Sequence, residues 1–200
     1  MPSVFLKLVV ALLAKHGASD VTTTLVGSDL GGLTDKYETS AVAGNGNIYA
    51  APSKANYVLE INVSNPNNIT TRTVGMDLGS ILWKYETSAV AGNGNIYAVP
   101  SRANYVLEID VSNPNNILSR TVGTDLGTNS FKYATSAVAG NGNIYATPWN
   151  ANYVLEINVS NPNNITTRTV GTDLGVGQYK YKTSAVAGNG NIYATPWNAN

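Results

Sequence analysis

Residues 36–83 read KYETSAVAGNGNIYAAPSKANYVLEINVSNPNNITTRTVGMDLGSILW, and the same text restarts at Lys84, Lys132 and Lys180, a period of 48 residues. Residues 135–152 recur letter for letter as residues 183–200, and residues 56–75 recur unchanged as 152–171. A repeat of this length is one supersecondary unit that cannot bury its apolar faces alone, which points to a propeller, solenoid or array.

Each unit divides into four short strands separated by turn residues. Strand A covers 37–43, followed by Gly44-Asn45-Gly46-Asn47, residue types that tolerate positive φ in a tight hairpin. Strand B covers 48–53 and strand C 57–64, the latter rich in β-branched and aromatic residues suited to a pleated sheet. Asn65-Pro66-Asn67-Asn68 is a turn by composition, and strand D, 69–74, alternates with Thr and Arg like an outer, half-wet strand. Strands B and C carry apolar residues at both parities: Ile48, Tyr49 and Ala50, then Val58, Leu59, Ile61 and Val63. Side chains of both parities are apolar when a strand is covered on both faces. Four-stranded units with sandwiched middle strands are propeller blades. The expected fold is therefore all-β, a four-bladed β-propeller of 48-residue repeats.

The core "NGNIYA-P--AN-VLEI", followed by a Thr-rich strand and a Gly/Asp turn, resembles YVTN-type and kelch-like propeller repeats. It is more similar still to algal and protist repeat proteins built on "NGKIYGIPYNA-SVLVID". The resemblance covers residues 21–200. That group has no assigned activity, so it implies a fold and no catalytic residue. This chain has Thr39-Ser40 where that group often has paired glycines.

Residues 21–200 form one propeller domain of 180/48 = 3.75 repeats, with four D, four A and four B strands but three C strands. Within the N-terminal segment 1–20, residues 3–10 (SVFLKLVV) are the candidate closing strand, placed where NYVLEINV lies in the repeats. The alternative is an amphipathic helix over 4–15, because Phe5, Val9, Leu12 and Leu13 also fit a helical stripe. A signal-peptide reading takes 1–7 as the charged region, 8–14 as the apolar core and Gly17 and Ser19 as the small residues before a cut. The 8–14 run is too short to span a bilayer. Blades so alike also allow a homodimer by blade swapping, two open arcs forming an eight-bladed ring.

Composition removes several function classes. Twelve basic residues balance twelve acidic ones with no cluster of Lys or Arg, which argues against a nucleic-acid partner. Cysteine is absent, and with it thiolate chemistry and cysteine-bound metals; neither fact assigns a compartment. The one histidine, His16, lies outside the repeats, so a Ser/His/Asp triad or histidine metal site within them is excluded. GNGNIY is no dinucleotide fingerprint, having Tyr49 in sixth place and a hairpin for context. Asp29, Asp77, Asp125 and Asp173 recur in G-x-D-L-G. One carboxylate per repeat falls short of a calcium loop, and each is read as bonding its own turn. Lys36, Lys84, Lys132 and Lys180 are read as edge residues rather than an anion-attracting ring, and Glu60, Glu108 and Glu156 as carboxylates paired to backbone or Arg. No cofactor and no metal is expected.

Alternating strands place the A–B and C–D loops on one face and the B–C and D–A loops on the other. The first set, GNGN and SNPNN, is unchanged in every copy, and most differences fall on the second. There the D–A loops end in Asp35, Trp83, Phe131 and Tyr179, and the B–C positions read Ser53-Lys54, Ser101-Arg102, Trp149-Asn150 and Trp197-Asn198. The start of strand A varies through Glu38, Glu86, Ala134 and Lys182. Solvent-facing loops seldom collect aromatics without a partner. The candidate ligand-binding residues are Trp149, Asn150, Trp197, Asn198, Phe131, Tyr179 and Trp83. The expectation is a non-enzymatic binding module on this face, with a carbohydrate or small polar ligand preferred. The alternatives are a protein-interaction scaffold, or a lyase or hydrolase at the channel mouth that would show a strongly shifted Lys or Glu.

Overall fold

A computed structural model describes residues 11–14 and 23–199. The chain is all-β, with no helix among the described residues. Its strands are β1 (Ala11–Ala14), β2 (Thr23–Val26), β3 (Tyr37–Val42), β4 (Ile48–Pro52), β5 (Val58–Asn62), β6 (Thr70–Val74), β7 (Tyr85–Val90), β8 (Ile96–Pro100), β9 (Val106–Asp110), β10 (Leu118–Val122), β11 (Tyr133–Val138), β12 (Ile144–Pro148), β13 (Val154–Asn158), β14 (Thr166–Val170), β15 (Tyr181–Val186) and β16 (Ile192–Pro196). They form antiparallel four-stranded sheets β3–β6, β7–β10 and β11–β14 and two-stranded sheets β1–β2 and β15–β16. The A strands lie side by side, β3 against β7, β7 against β11 and β11 against β15, an arrangement consistent with a propeller.

Strand A meets strand B in one register throughout, with an irregularity after its first pair, as between Tyr37 and Thr39. The partners Val58↔Val74 and Leu59↔Thr73 of β5 and β6 have counterparts in Ala11↔Val26 and Leu12↔Leu25 of β1 and β2. Residues Ala11–Ala14 thus hold the strand C position ahead of the first D strand. The candidate strand over 3–10 lies outside the described residues.

The double-sided apolar pattern of strands B and C resolves into two different faces. Tyr49, Ala51 and Val58 of one sheet pack on Tyr85, Ile96, Ala98, Leu107 and Ile109 of the next. One repeat on, Tyr97, Val99 and Val106 pack on Tyr133, Ile144, Ala146, Leu155 and Ile157. Each sheet therefore offers a Tyr/Val face to its successor and an Ile/Leu face to its predecessor, which is why β8 is buried along its whole length. Leu78 and Leu126, from G-x-D-L-G, pack against the same two clusters.

Polar contacts repeat with the same period. Glu60, Glu108 and Glu156 are buried on strand C, and each is paired to an arginine of strand D: Arg72, Arg120 and Arg168. Oε1 of Glu60 accepts from the Tyr49 hydroxyl at 2.8 Å and from Nδ2 of Asn47 at 3.1 Å. Asn47 also accepts from the Val63 amide at 3.2 Å, which ties the A–B hairpin to the end of strand C. Nη2 of Arg72 and Arg120 donates onward to the carbonyls of Pro114 and Pro162, in the C–D turn of the following sheet. Between the A strands, Thr39, Thr87 and Thr135 share hydrogen bonds with Ser88, Ser136 and Ser184 at 3.2, 3.0 and 2.9 Å. Side chains thereby add to the contact between neighbouring A strands.

Arg120→Met should lower stability by about 2–3 kcal/mol, below the ~3–5 kcal/mol of a fully buried broken pair because the arginine is half exposed. Glu108→Gln keeps an acceptor for Tyr97 and Asn95 and should cost less. Urea unfolding of the two variants measures the difference.

Candidate functional site

The B–C and D–A loops are joined by a chain of backbone hydrogen bonds around the start of the A strands. Ser53 N donates to Lys36 O at 2.8 Å, and Lys84 N of the next repeat donates to Ser53 O at 3.0 Å. The pattern continues through Ser101, Lys132, Trp149 and Lys180 to Trp197, whose amide donates to Lys180 O at 2.7 Å.

Asp35, Trp83, Phe131 and Tyr179 occupy the same place in this chain, immediately before the lysine, and all four are left-handed, with φ of 51°, 56°, 56° and 59°. For a residue with a Cβ that conformation is strained, by about 1–2 kcal/mol. Their surroundings hold it. The carbonyls of Asp35, Trp83, Phe131 and Tyr179 accept from the amides of Lys54, Arg102, Asn150 and Asn198 at 3.2, 3.1, 3.1 and 3.0 Å. Asp29, Asp77, Asp125 and Asp173 brace the loop upstream, each accepting from the amide two residues on at 2.7 or 2.8 Å, as the turn reading requires.

The lysines depart from the edge-residue expectation. Lys84, Lys132 and Lys180 are buried. Nζ of Lys84 donates to the carbonyls of Gly79 and Ile81 at 2.9 and 2.6 Å, and Nζ of Lys132 to those of Gly127 and Asn129 at 2.9 and 2.8 Å. They clamp the D–A loops from beneath. Desolvation by burial lowers the affinity of all three for a proton, against the opposing attraction of a nearby aspartate, and brings Lys132 down to about 8.

Four of the seven candidate residues, Trp83, Phe131, Trp149 and Tyr179, line one cavity of about 480 Å³ with Glu38, Glu86, Ala134 and Lys182. Ring centroids are 6.0 Å apart for Trp83 and Phe131 and 5.0 Å for Trp149 and Tyr179. Trp197 stands beside this group, 6.4 Å from Trp149 and 63% exposed. Asn150 is engaged in the scaffold: Nδ2 donates to Ser130 O at 3.2 Å and Oδ1 accepts from the Tyr179 amide at 3.0 Å. Asn198 sits exposed at the end of β16, its amide on the Tyr179 carbonyl.

Cationic side chains lie over several of these rings. Lys54 Nζ is 4.6 Å from the Trp83 ring centroid, the Arg102 guanidinium is 5.5 Å from Trp83 and 5.7 Å from Phe131, and Lys182 Nζ is 5.2 Å from Trp197. Strand A and the B–C loop also match in pairs. Where the loop has Ser53 or Ser101, strand A has Glu38 or Glu86, and the hydroxyl donates to the carboxylate at 2.9 or 2.8 Å. Where the loop has Trp149 or Trp197, strand A has Ala134 or Lys182. The first two repeats thus present Glu38 and Glu86 to the cavity beside Trp83 and Phe131, the third presents Ala134, Trp149 and Tyr179, and the fourth presents Lys182. Burial raises the Glu86 carboxyl, with the Glu38 charge adding to the rise, and the Ser101 hydroxyl and Lys182 oppose it.

No protein-family description matches the chain, and no curated protein sequence does. Solved structures share its fold. Virginiamycin B lyase from Staphylococcus aureus is 16% identical, with a TM-score of 0.53 over 81% of this chain and 49% of that one. A provisionally named 6-phosphogluconolactonase from Bacteroides uniformis is also 16% identical, with a TM-score of 0.58 over 80% of this chain and 47% of that one. The Staphylococcus lyase with quinupristin, in a catalytically inactive form, gives 14% identity and a TM-score of 0.52 over 90% of this chain and 60% of that one. The chain spans about half the length of the first two. These are propeller-like, β-rich proteins, and at such identity the likeness is one of fold.

Lys132 makes stability depend on pH. Its affinity for protons is lower in the folded chain, about 8 against 10.5, so the unfolded chain binds more protons between those values. Stability contributed at this position rises with pH across that window. The difference in stability between the parent and Lys132→Met should therefore grow in the parent's favour from about pH 8 to pH 10. A flat difference in denaturant unfolding would show that the lysine is solvated.

Proposed function

We propose that the chain is a non-enzymatic binding module whose mouth takes a small polar ligand, carbohydrate foremost. The observation that carries this reading is the set of three aromatic residues in left-handed backbone around one cavity. A strained conformation persists where its surroundings over-determine it, and such positions concentrate at ligand sites. Loop packing alone would be served by glycine or asparagine there at lower cost. Flat rings beside carboxylate and hydroxyl groups suit a sugar, which has an apolar face and a rim of hydroxyls. The kinship to YVTN-type and kelch-like repeats belongs to the same proposal. So does a four-bladed count in which β1–β2 supply strands C and D to the A and B strands β15–β16.

One stacked ring contributes about 0.5–1.5 kcal/mol beyond area burial, so Trp149→Ala should weaken binding by about threefold to tenfold from a millimolar Kd. Trp197→Ala should weaken it by no more than that. Neither should lower the Tm by more than about 4 °C. Tyr179→Gly relieves left-handed strain, so it should melt no lower than the parent and still bind more weakly. Tryptophan fluorescence titrated with mono- and oligosaccharides reads the affinities. If no sugar perturbs it and both Trp variants lose several kcal/mol of stability, the rings are packing residues.

A further inference from the structure

The mouth has a charge as well as a shape. Its lining residues include two carboxylates, Glu38 and Glu86, against one ammonium, Lys182. Each carboxylate has Oε1 on a serine hydroxyl, which fixes its direction without neutralising it. The rings around them already attract cations from the protein itself: Lys54 and Arg102 lie over Trp83 and Arg102 over Phe131, while Lys182 lies over Trp197 beside the cavity. A ring face draws positive charge through its quadrupole, and a carboxylate draws it through full charge. The carboxylates and the rings of the mouth therefore favour the same sign of charge.

We infer that the ligand carries a protonated amine on a flat hydroxylated body, the chemistry of an amino sugar, with the ammonium between Glu38 and Glu86 and the body against Trp149 and Tyr179. This rests on the mouth being a small-ligand site and names the class it takes. A neutral hydroxyl can accept the same positions. It brings no charge to offset the burial of Glu86, which chiefly raises its proton affinity, or the neighbouring Glu38 charge, which adds to the rise. An ammonium brings that charge and forms charge-assisted hydrogen bonds in the same step. Lys182 opposes the cation from the fourth repeat and makes the site less tight than two carboxylates alone would.

The test is calorimetric titration of the full chain with three probes: the trisaccharide of glucosamine, its N-acetylated counterpart, and the glucose trisaccharide. The pH is set low enough to keep the amine charged and above the ordinary carboxylate range. The glucosamine trimer should bind about tenfold tighter than the two neutral probes, as one charge-assisted hydrogen bond allows. Glu38→Gln with Glu86→Gln should bring all three to one affinity. Lys182→Ala, at an exposed position, should tighten the glucosamine trimer alone, a gain that damage to the fold cannot produce. Equal binding of charged and neutral trimers overturns the amine inference and leaves the mouth a sugar site. If none of the three binds, the underlying reading of the mouth falls with it.

Discussion

A carboxylate buried in the middle of a sheet is the constraint on which this architecture turns. Glu60 and its counterparts sit on strand C among apolar residues, where an unpaired charge is not tolerated. Their partners come from every direction that must be fixed: Tyr49 from strand B, Asn47 from the A–B hairpin, Arg72 from strand D. Arg72 then reaches the C–D turn of the next sheet. One group thereby sets the registration of three strands and the spacing between two sheets, and this accounts for the invariance of N-G-N-I-Y and V-L-E-I.

Apolar packing supplies the driving force, and the two-faced sheets give it direction. A Tyr/Val face against an Ile/Leu face can be extended from sheet to sheet without a special case, so near-identical repeats stack head to tail. The arrangement leaves the B–C and D–A loops outside the carboxylate network. Their conformation is set by other means, namely buried lysines, Asp turns and the backbone chain through Ser53, Ser101 and Trp149.

The fold was legible because its cause is periodic. Two parities of apolar residues, hairpin glycines and turn prolines locate each strand to within about two residues, the usual uncertainty of such boundaries. The sorting of loops between two faces was legible for the same reason. Four of the seven candidate residues meet in one cavity because they share a phase of the repeat. What escaped was contact between loops. That Arg102 lies over Trp83 and Phe131, or that Asn150 holds Tyr179, depends on how the B–C and D–A loops are set against one another, and a linear pattern does not encode that placement. The pairing of Glu38 with Ser53 and Glu86 with Ser101 did leave a trace, since the two positions change together between copies. Burial of Lys84, Lys132 and Lys180 left none, because a lysine before a strand reads as a solvated edge.

Each wall of the mouth comes from a different copy of one repeat, and the wall residues lie apart from the Glu60-type network. Copying a repeat therefore duplicates a scaffold that stacks on its neighbours in the same way each time, and the duplicate can carry Trp and Ala where another carries Ser and Glu while the carboxylate network stays unchanged. The lining of the cavity can thus change one repeat at a time. At one position of strand A the cavity already meets Glu38 and Glu86 from two copies and Ala134 and Lys182 from the other two.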